Sequence, residues 1–248
     1  MTASAGTPTG RKDALPFKMV AGVVPCPRGW LTFTARLMSV TVLPEECKVL
    51  PTLEALLDER PSFTAAVVDA PIGLPDQPLP DGFRGCDREA RTILGWPRRV
   101  AVARVPSRAT LEAGSLEEAQ RIEPWVSDLN YRRLKAAAEM SAFMQPYLQR
   151  SIYSGNPELS FYLLNGDQPM QYNHWTYQGV EERLELLRPR LPDVDRFVTN
   201  PPQGTSRKHV VDAAGLLWTA RRVAGRVVSR LPEDPEWDES GIRMELVR

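Results

Sequence analysis

The chain predicts an α/β fold built on a mixed sheet, and three observations point to it. Short apolar runs bounded by Pro and Gly recur up to residue 69, as buried strands do. The remainder is dominated by longer, helix-like segments. One apolar run, 63–68, ends on Asp69 and leads straight into Pro71-Ile-Gly-Leu-Pro75. A carboxylate at the C-terminal tip of a buried strand sits where open α/β sheets place their chemistry.

In order along the chain, 1–17 begins small and polar, lacks a signal-peptide core, and reads as a disordered leader on a cytoplasmic protein. Residues 18–248 are long enough for one large domain. Runs at 19–24 and 30–35, separated by Pro25-Cys-Pro-Arg-Gly29, predict a hairpin. A third strand at 40–50, a short helix at 52–59 and a strand at 65–69 follow. Helices are expected at 87–94, 116–121, 129–149, 180–188 and 208–230, with an acid-bearing apolar stretch at 152–164. The Pro-rich joints 189–202 and 231–235 read as loops within one domain. Three antiparallel strands, a helix and then a parallel strand is the opening order of the ribonuclease H-like fold.

Composition excludes several classes. No stretch approaches the roughly 18 apolar residues a membrane span needs. Cys26, Cys47 and Cys86 are odd in number and widely spaced, which argues against a disulfide framework or a zinc knuckle. Two histidines, His174 and His209, leave no His-rich metal site. P-loop, G-x-G-x-x-G and G-x-S-x-G motifs are absent. Net charge is zero, so any nucleic-acid role needs a local patch. Residues 84–108 supply one, with seven arginines against Asp87 and Glu89. Arg88 and Arg91 stand three apart on one helix face, near enough in sequence to Asp69 to reach a phosphate there.

Two further acids resemble Asp69 in being isolated among apolar residues: Glu158, before 159–164, and Asp212, inside 210–220. Three such acids fit a carboxylate cluster holding divalent metal, and fit equally three separately satisfied polar groups. His209 precedes Asp212 by three positions and shares its helix face, as a ligand or water-activating base, or as a helix cap.

The blocks Val20-Ala-Gly-Val-Val-Pro-Cys-Pro-Arg-Gly-Trp30, Val68-Asp-Ala-Pro-Ile-Gly-Leu-Pro75, Cys86-Asp-Arg-Glu-Ala-Arg91, Pro106-Ser-Arg108, Asn156-Pro-Glu-Leu-Ser-Phe161 and Val211-Asp-Ala213 resemble, in order, the domain of unknown function 429 family. Its members are described as predicted ribonuclease H-like nucleases. The resemblance implies Asp69, Glu158 and Asp212 as ligands of Mg2+ or Mn2+, with the three carboxylates within about 8 Å, the reach of a two-ion site. It pairs His209 and Asp212 with the terminal-helix ligands of some Holliday-junction resolvases. Arg88, Arg91 and Arg108 become the expected phosphate contacts. One position departs: the family's first-strand motif carries an Asp where this chain has Val24. The expectation is therefore a metal-dependent nuclease-like protein with impaired catalysis. Its rival is an inactive scaffold binding nucleic acid or a protein partner. A sugar-kinase-type phosphotransferase is disfavoured by the lack of paired Gly-rich phosphate hairpins.

Overall fold

The computed structural model describes residues 16–127 and 131–248. Nearly all of the expected leader lies outside the described residues. Strands β1 (Lys18–Cys26), β2 (Gly29–Met38) and β3 (Thr41–Leu50) form an antiparallel meander, followed by the one-turn helix α1 (Ala55–Asp58) and strand β4 (Phe63–Val68). Helices α2 (Gly85–Leu94), α3 (Arg108–Leu111), α4 (Leu116–Ile122) and α5 (Tyr131–Phe143) lead to the short strand β5 (Ile152–Ser154). Helices α6 (Pro157–Leu164), α7 (Tyr177–Leu187), α8 (Val194–Thr199) and α9 (Arg207–Ala224) precede a terminal hairpin of β6 (Arg230–Trp237) and β7 (Arg243–Val247).

The main sheet has the order β3-β2-β1-β4-β5, antiparallel through β2 and parallel where β4 joins β1 and β5. With helices on its flanks, this is an α/β fold compatible with the ribonuclease H-like class. The central strands are apolar on both faces because both faces are covered. Val20, Val24, Ala65 and Val67 pack with α9, while Ala21, Val23, Ala66 and Val68 pack with Ala136 and Met140 of α5. Edge strand β3 carries Glu45, Glu46 and Lys48 and a bulge opposite Thr34/Ala35, devices that discourage further strand pairing. Among the described residues no helix is long and apolar enough to cross a membrane.

Several expectations need correction. The 189–202 joint contains α8, and 231–235 lies in β6. Pro232 and Pro235 are tolerated there because β6 belongs to a two-stranded ribbon and, among the described residues, pairs only with β7. The long helix expected at 129–149 stops at Phe143, and Pro146 opens a separate 3-10 turn at Pro146–Arg150. The acid-bearing stretch divides into β5 and α6, because Asn156 caps the new helix through its side chain and Pro157 occupies its first turn.

Candidate functional site

Asp69 follows β4 directly, and its amide donates to the Val23 carbonyl at 2.8 Å. On the other side, Gly155 N–H donates to Val68 O at 3.0 Å. The residue is thus fixed between β1 and β5 at the C-terminal end of the parallel strands. Val23 is the register partner of Val68, so Val24 stands beside Asp69. Strand alternation sends Asp69 to the same face as Val67 and Val24, the face covered by α9. The loop after Asp69 is held by Arg84, which is fully buried. Its Nη1 donates to Ile72 O and Gly73 O at 2.8 and 3.0 Å. Nε and Nη2 make a two-pronged pair with Asp87 at 2.8 and 3.0 Å. The Cys-Asp-Arg-Glu-Ala-Arg block therefore braces the site loop, with Asp87 also accepting from the Arg84 amide.

Helix α9 reaches the sheet where Gly22 lacks a side chain. A Cβ at Gly22 would lie 1.9 Å from Ala213 O and 2.3 Å from Leu217 N. That close approach buries Asp212 against the strand ends. Lys208, one turn earlier on α9, donates to Asp212 Oδ2 at 2.5 Å. Its ammonium also lies 4.3 Å from the centroid of the exposed Trp175 ring. Asp212 Oδ1 is buried with no hydrogen-bond partner among the described residues.

Asp69 and Asp212 interact across this gap. Burial pushes the Asp69 carboxyl up to about 6; Arg133 opposes the shift, Asp212 adds to it, and Lys208 opposes it. Burial likewise pushes His174 down to about 4, opposed by Asp212 and reinforced by Lys208, Arg183 and Arg133. The ensemble is two carboxylates, a neutral imidazole and two flanking cations.

The remaining expected residues serve other ends. Glu158 is buried, but its Oε2 accepts from the equally buried Arg183 Nη2 at 2.6 Å, and Arg98 Nε lies 3.8 Å from Oε1. Arg183 Nη1 also donates to Gly179 O at 2.8 Å, so this pair fastens α7 to α6. Among the described residues no group of three or more His, Cys, Asp or Glu side chains is placed to hold a metal ion. His209 caps α9: its Nδ1 accepts from the Ser206 amide at 3.2 Å and lies 2.8 Å from Ser206 Oγ. Arg88 forms an exposed pair with Asp81, with two contacts of 3.0 Å. Arg108 is held by Asp76 at 3.1 Å and Asp238 at 2.5 Å. Of the three expected phosphate contacts, Arg91 alone lines the cavity beside Asp69.

Sequence reasoning passed over Lys208, His174 and Arg133. For Lys208 a signal existed, since a Lys four residues before an Asp shares its helix face as closely as His209 does. His174 and Arg133 reach the site from a loop and from α5, and no local pattern marks them.

A family model described as protein of unknown function (DUF429) matches residues 22–237. No curated protein and no solved structure matches the chain.

Proposed function

Because the chain belongs to the DUF429 family, whose matching model is described as protein of unknown function, its function is read from its own site, and we propose that it is a ribonuclease H-like protein that binds nucleic acid but hydrolyses phosphodiesters weakly or not at all. The observation that carries this reading is the Asp69–Asp212 pair with Lys208 on Asp212 and Val24 beside Asp69. Asp69 at the end of β4 and Asp212 on α9 support this reading, and the charges beside them are those of Lys208 and Arg133.

Two-ion hydrolysis needs anionic ligands around both ions. Val24 offers none, and Glu158 is committed to Arg183. A two-ion centre does not fit these residues. Asp69 and the unpartnered Oδ1 of Asp212 do suit a single Mg2+ or Mn2+. Such an ion would supply charge to hold a phosphate near Lys208 and Arg133. His174, neutral above about pH 4, adds polarity without a competing positive charge.

The test compares wild type, Val24→Asp and Asp69→Asn on single- and double-stranded DNA and RNA in manganese, following binding by anisotropy and cleavage by gel. Wild type should bind without appreciable cleavage, and Val24→Asp should gain cleavage. Manganese affinity, read by electron paramagnetic resonance, should be present in wild type and fall at least about tenfold in Asp69→Asn, the loss of one charged ligand. Robust wild-type cleavage abolished by Asp69→Asn would overturn the impairment. Absence of nucleic-acid binding in all three proteins would favour the scaffold reading with a protein partner.

A further inference from the structure

Beside Asp69 the fold encloses a cavity of about 490 Å3, within the ~300–1,000 Å3 range of small-molecule sites. Its lining combines Arg91, Arg104 and Arg133 with the aromatic side chains Phe83 and Trp125. Arg84 and Asp87 also border it but neutralise each other. No described carboxylate lies within 4 Å of the guanidinium of Arg91, Arg104 or Arg133. Asp69 is then the single lining acid without a close ion-pair partner, set against three cations.

Like charges are crowded here. The Arg91 guanidinium is held below its ordinary range by burial first, then by Arg99 and Arg104. The protein nevertheless fixes Arg91 in place, with its Nη1 donating to Arg99 O at 2.9 Å and Val102 O at 3.0 Å. Its guanidinium carbon lies 4.1 Å from the Phe83 ring centroid. Arginines without carboxylate partners at the lining of a cavity with aromatic walls suit a ligand that joins an anion to a flat, weakly polar body. A duplex is too wide for such a cavity, whereas a single nucleotide has the right size and both chemistries.

We propose that this cavity binds one nucleotide unit, with the phosphate at Arg104 and Arg133 and the base against Phe83 and Trp125. The unit is either a free mononucleotide or an unpaired nucleotide of a strand. This deepens the nucleic-acid reading and rests on it for the strand form alone.

The experiment is calorimetric titration of the full chain with thymidine monophosphate, thymidine, inorganic phosphate, a 12-nucleotide oligothymidylate and a blunt 12-base-pair duplex. Arg104→Gln and Arg133→Gln are the test variants. Both side chains are exposed, so the fold should survive, as far-UV circular dichroism can verify. Arg88→Gln is the control, since its Asp81 pair lies outside the cavity. Thymidine monophosphate or the oligothymidylate should bind at least about tenfold tighter than thymidine or phosphate alone. Each test variant should weaken that binding about tenfold, the loss of one charged hydrogen bond, and Arg88→Gln less than about twofold. Affinity for the mononucleotide identifies a free ligand, and affinity for the oligothymidylate alone identifies a strand. Duplex binding that ignores Arg104→Gln and Arg133→Gln would overturn the cavity assignment and leave the nucleic-acid reading standing. Mononucleotide binding with no affinity for any strand would do the reverse. Phosphate binding as tightly as the nucleotide would overturn the base-binding half, and silence from every probe would overturn both proposals.

Discussion

Asp69 and His174 place opposite pH demands on the folded state. The Asp69 carboxyl rises from 3.8 to about 6 on folding, so the folded protein holds a proton the unfolded chain has lost. Its contribution is fully present below about pH 4 and is lost as pH rises through 6. His174 falls from 6.5 to about 4, so the unfolded chain holds the extra proton. Its contribution is present above about pH 6.5 and is lost as pH falls through 4. Each effect is on the order of 2–3 kcal/mol, and between pH 4 and 6 they nearly cancel. Urea denaturation across that window should give a flat stability profile for wild type. Asp69→Asn should turn it into a rise with pH, and His174→Gln into a fall. Parallel profiles in all three proteins would refute the assignment. Asp69 and Asp212 were legible in the sequence because an isolated acid in an apolar run needs a reason. Glu158 carried the same signature for a different reason: its partner, Arg183, lies 25 residues away, and nothing local tells an ion-paired acid from a metal ligand. His209 was expected at the site because it shares a helix face with Asp212, while Lys208 beside it makes the contact.

Between elements, the contact that builds the site is α9 against β1. Gly22→Ala would drive a Cβ into α9 backbone at 1.9 Å, and backbone cannot swing aside as a side chain can. The substitution should cost roughly 3 kcal/mol or more and disturb Asp212 along with the fold; a melting temperature within a degree or two of wild type would refute this. The α6–α7 fastening makes a separate prediction. Arg183→Met strands the buried Glu158 carboxylate and should destabilise by about 3–5 kcal/mol, whereas Arg183→Met with Glu158→Leu should recover much of the loss. Chemical denaturation of the three proteins measures this coupling, and manganese affinity should stay at the wild-type level in the double variant. Most strands and helices could be read from apolar runs and Pro/Gly punctuation. Among the elements that were not expected, α3 and β7 carry no local signal that was read, and α8 and β6 lie in Pro-rich sequence, where local preference argues for loop and packing decides otherwise.

Across the whole molecule, zero net charge means that binding to an anionic polymer depends on where cations lie. Arg104, Arg133 and Lys208 surround the Asp69–Asp212 end of the sheet. A log–log plot of affinity against salt should therefore have a slope of about −2 to −3, far shallower than that of a protein with an extended basic face. A slope near −6 would mean that another surface carries the binding. The order in which the chain leaves the ribosome adds a constraint of its own. The loop after Asp69 is backed by the terminal hairpin: Gly73, at φ +73°, lies against Met244 and the Arg243 carbonyl, and Leu74 N–H donates to Asp238 Oδ2 at 3.3 Å. Leu74 and Asp238 are 164 positions apart. At ~5–20 residues per second, roughly 8–30 s of translation separate the acid from its backing. Throughout that interval the loop after Asp69 has Arg84 as its brace but lacks the backing of the terminal hairpin.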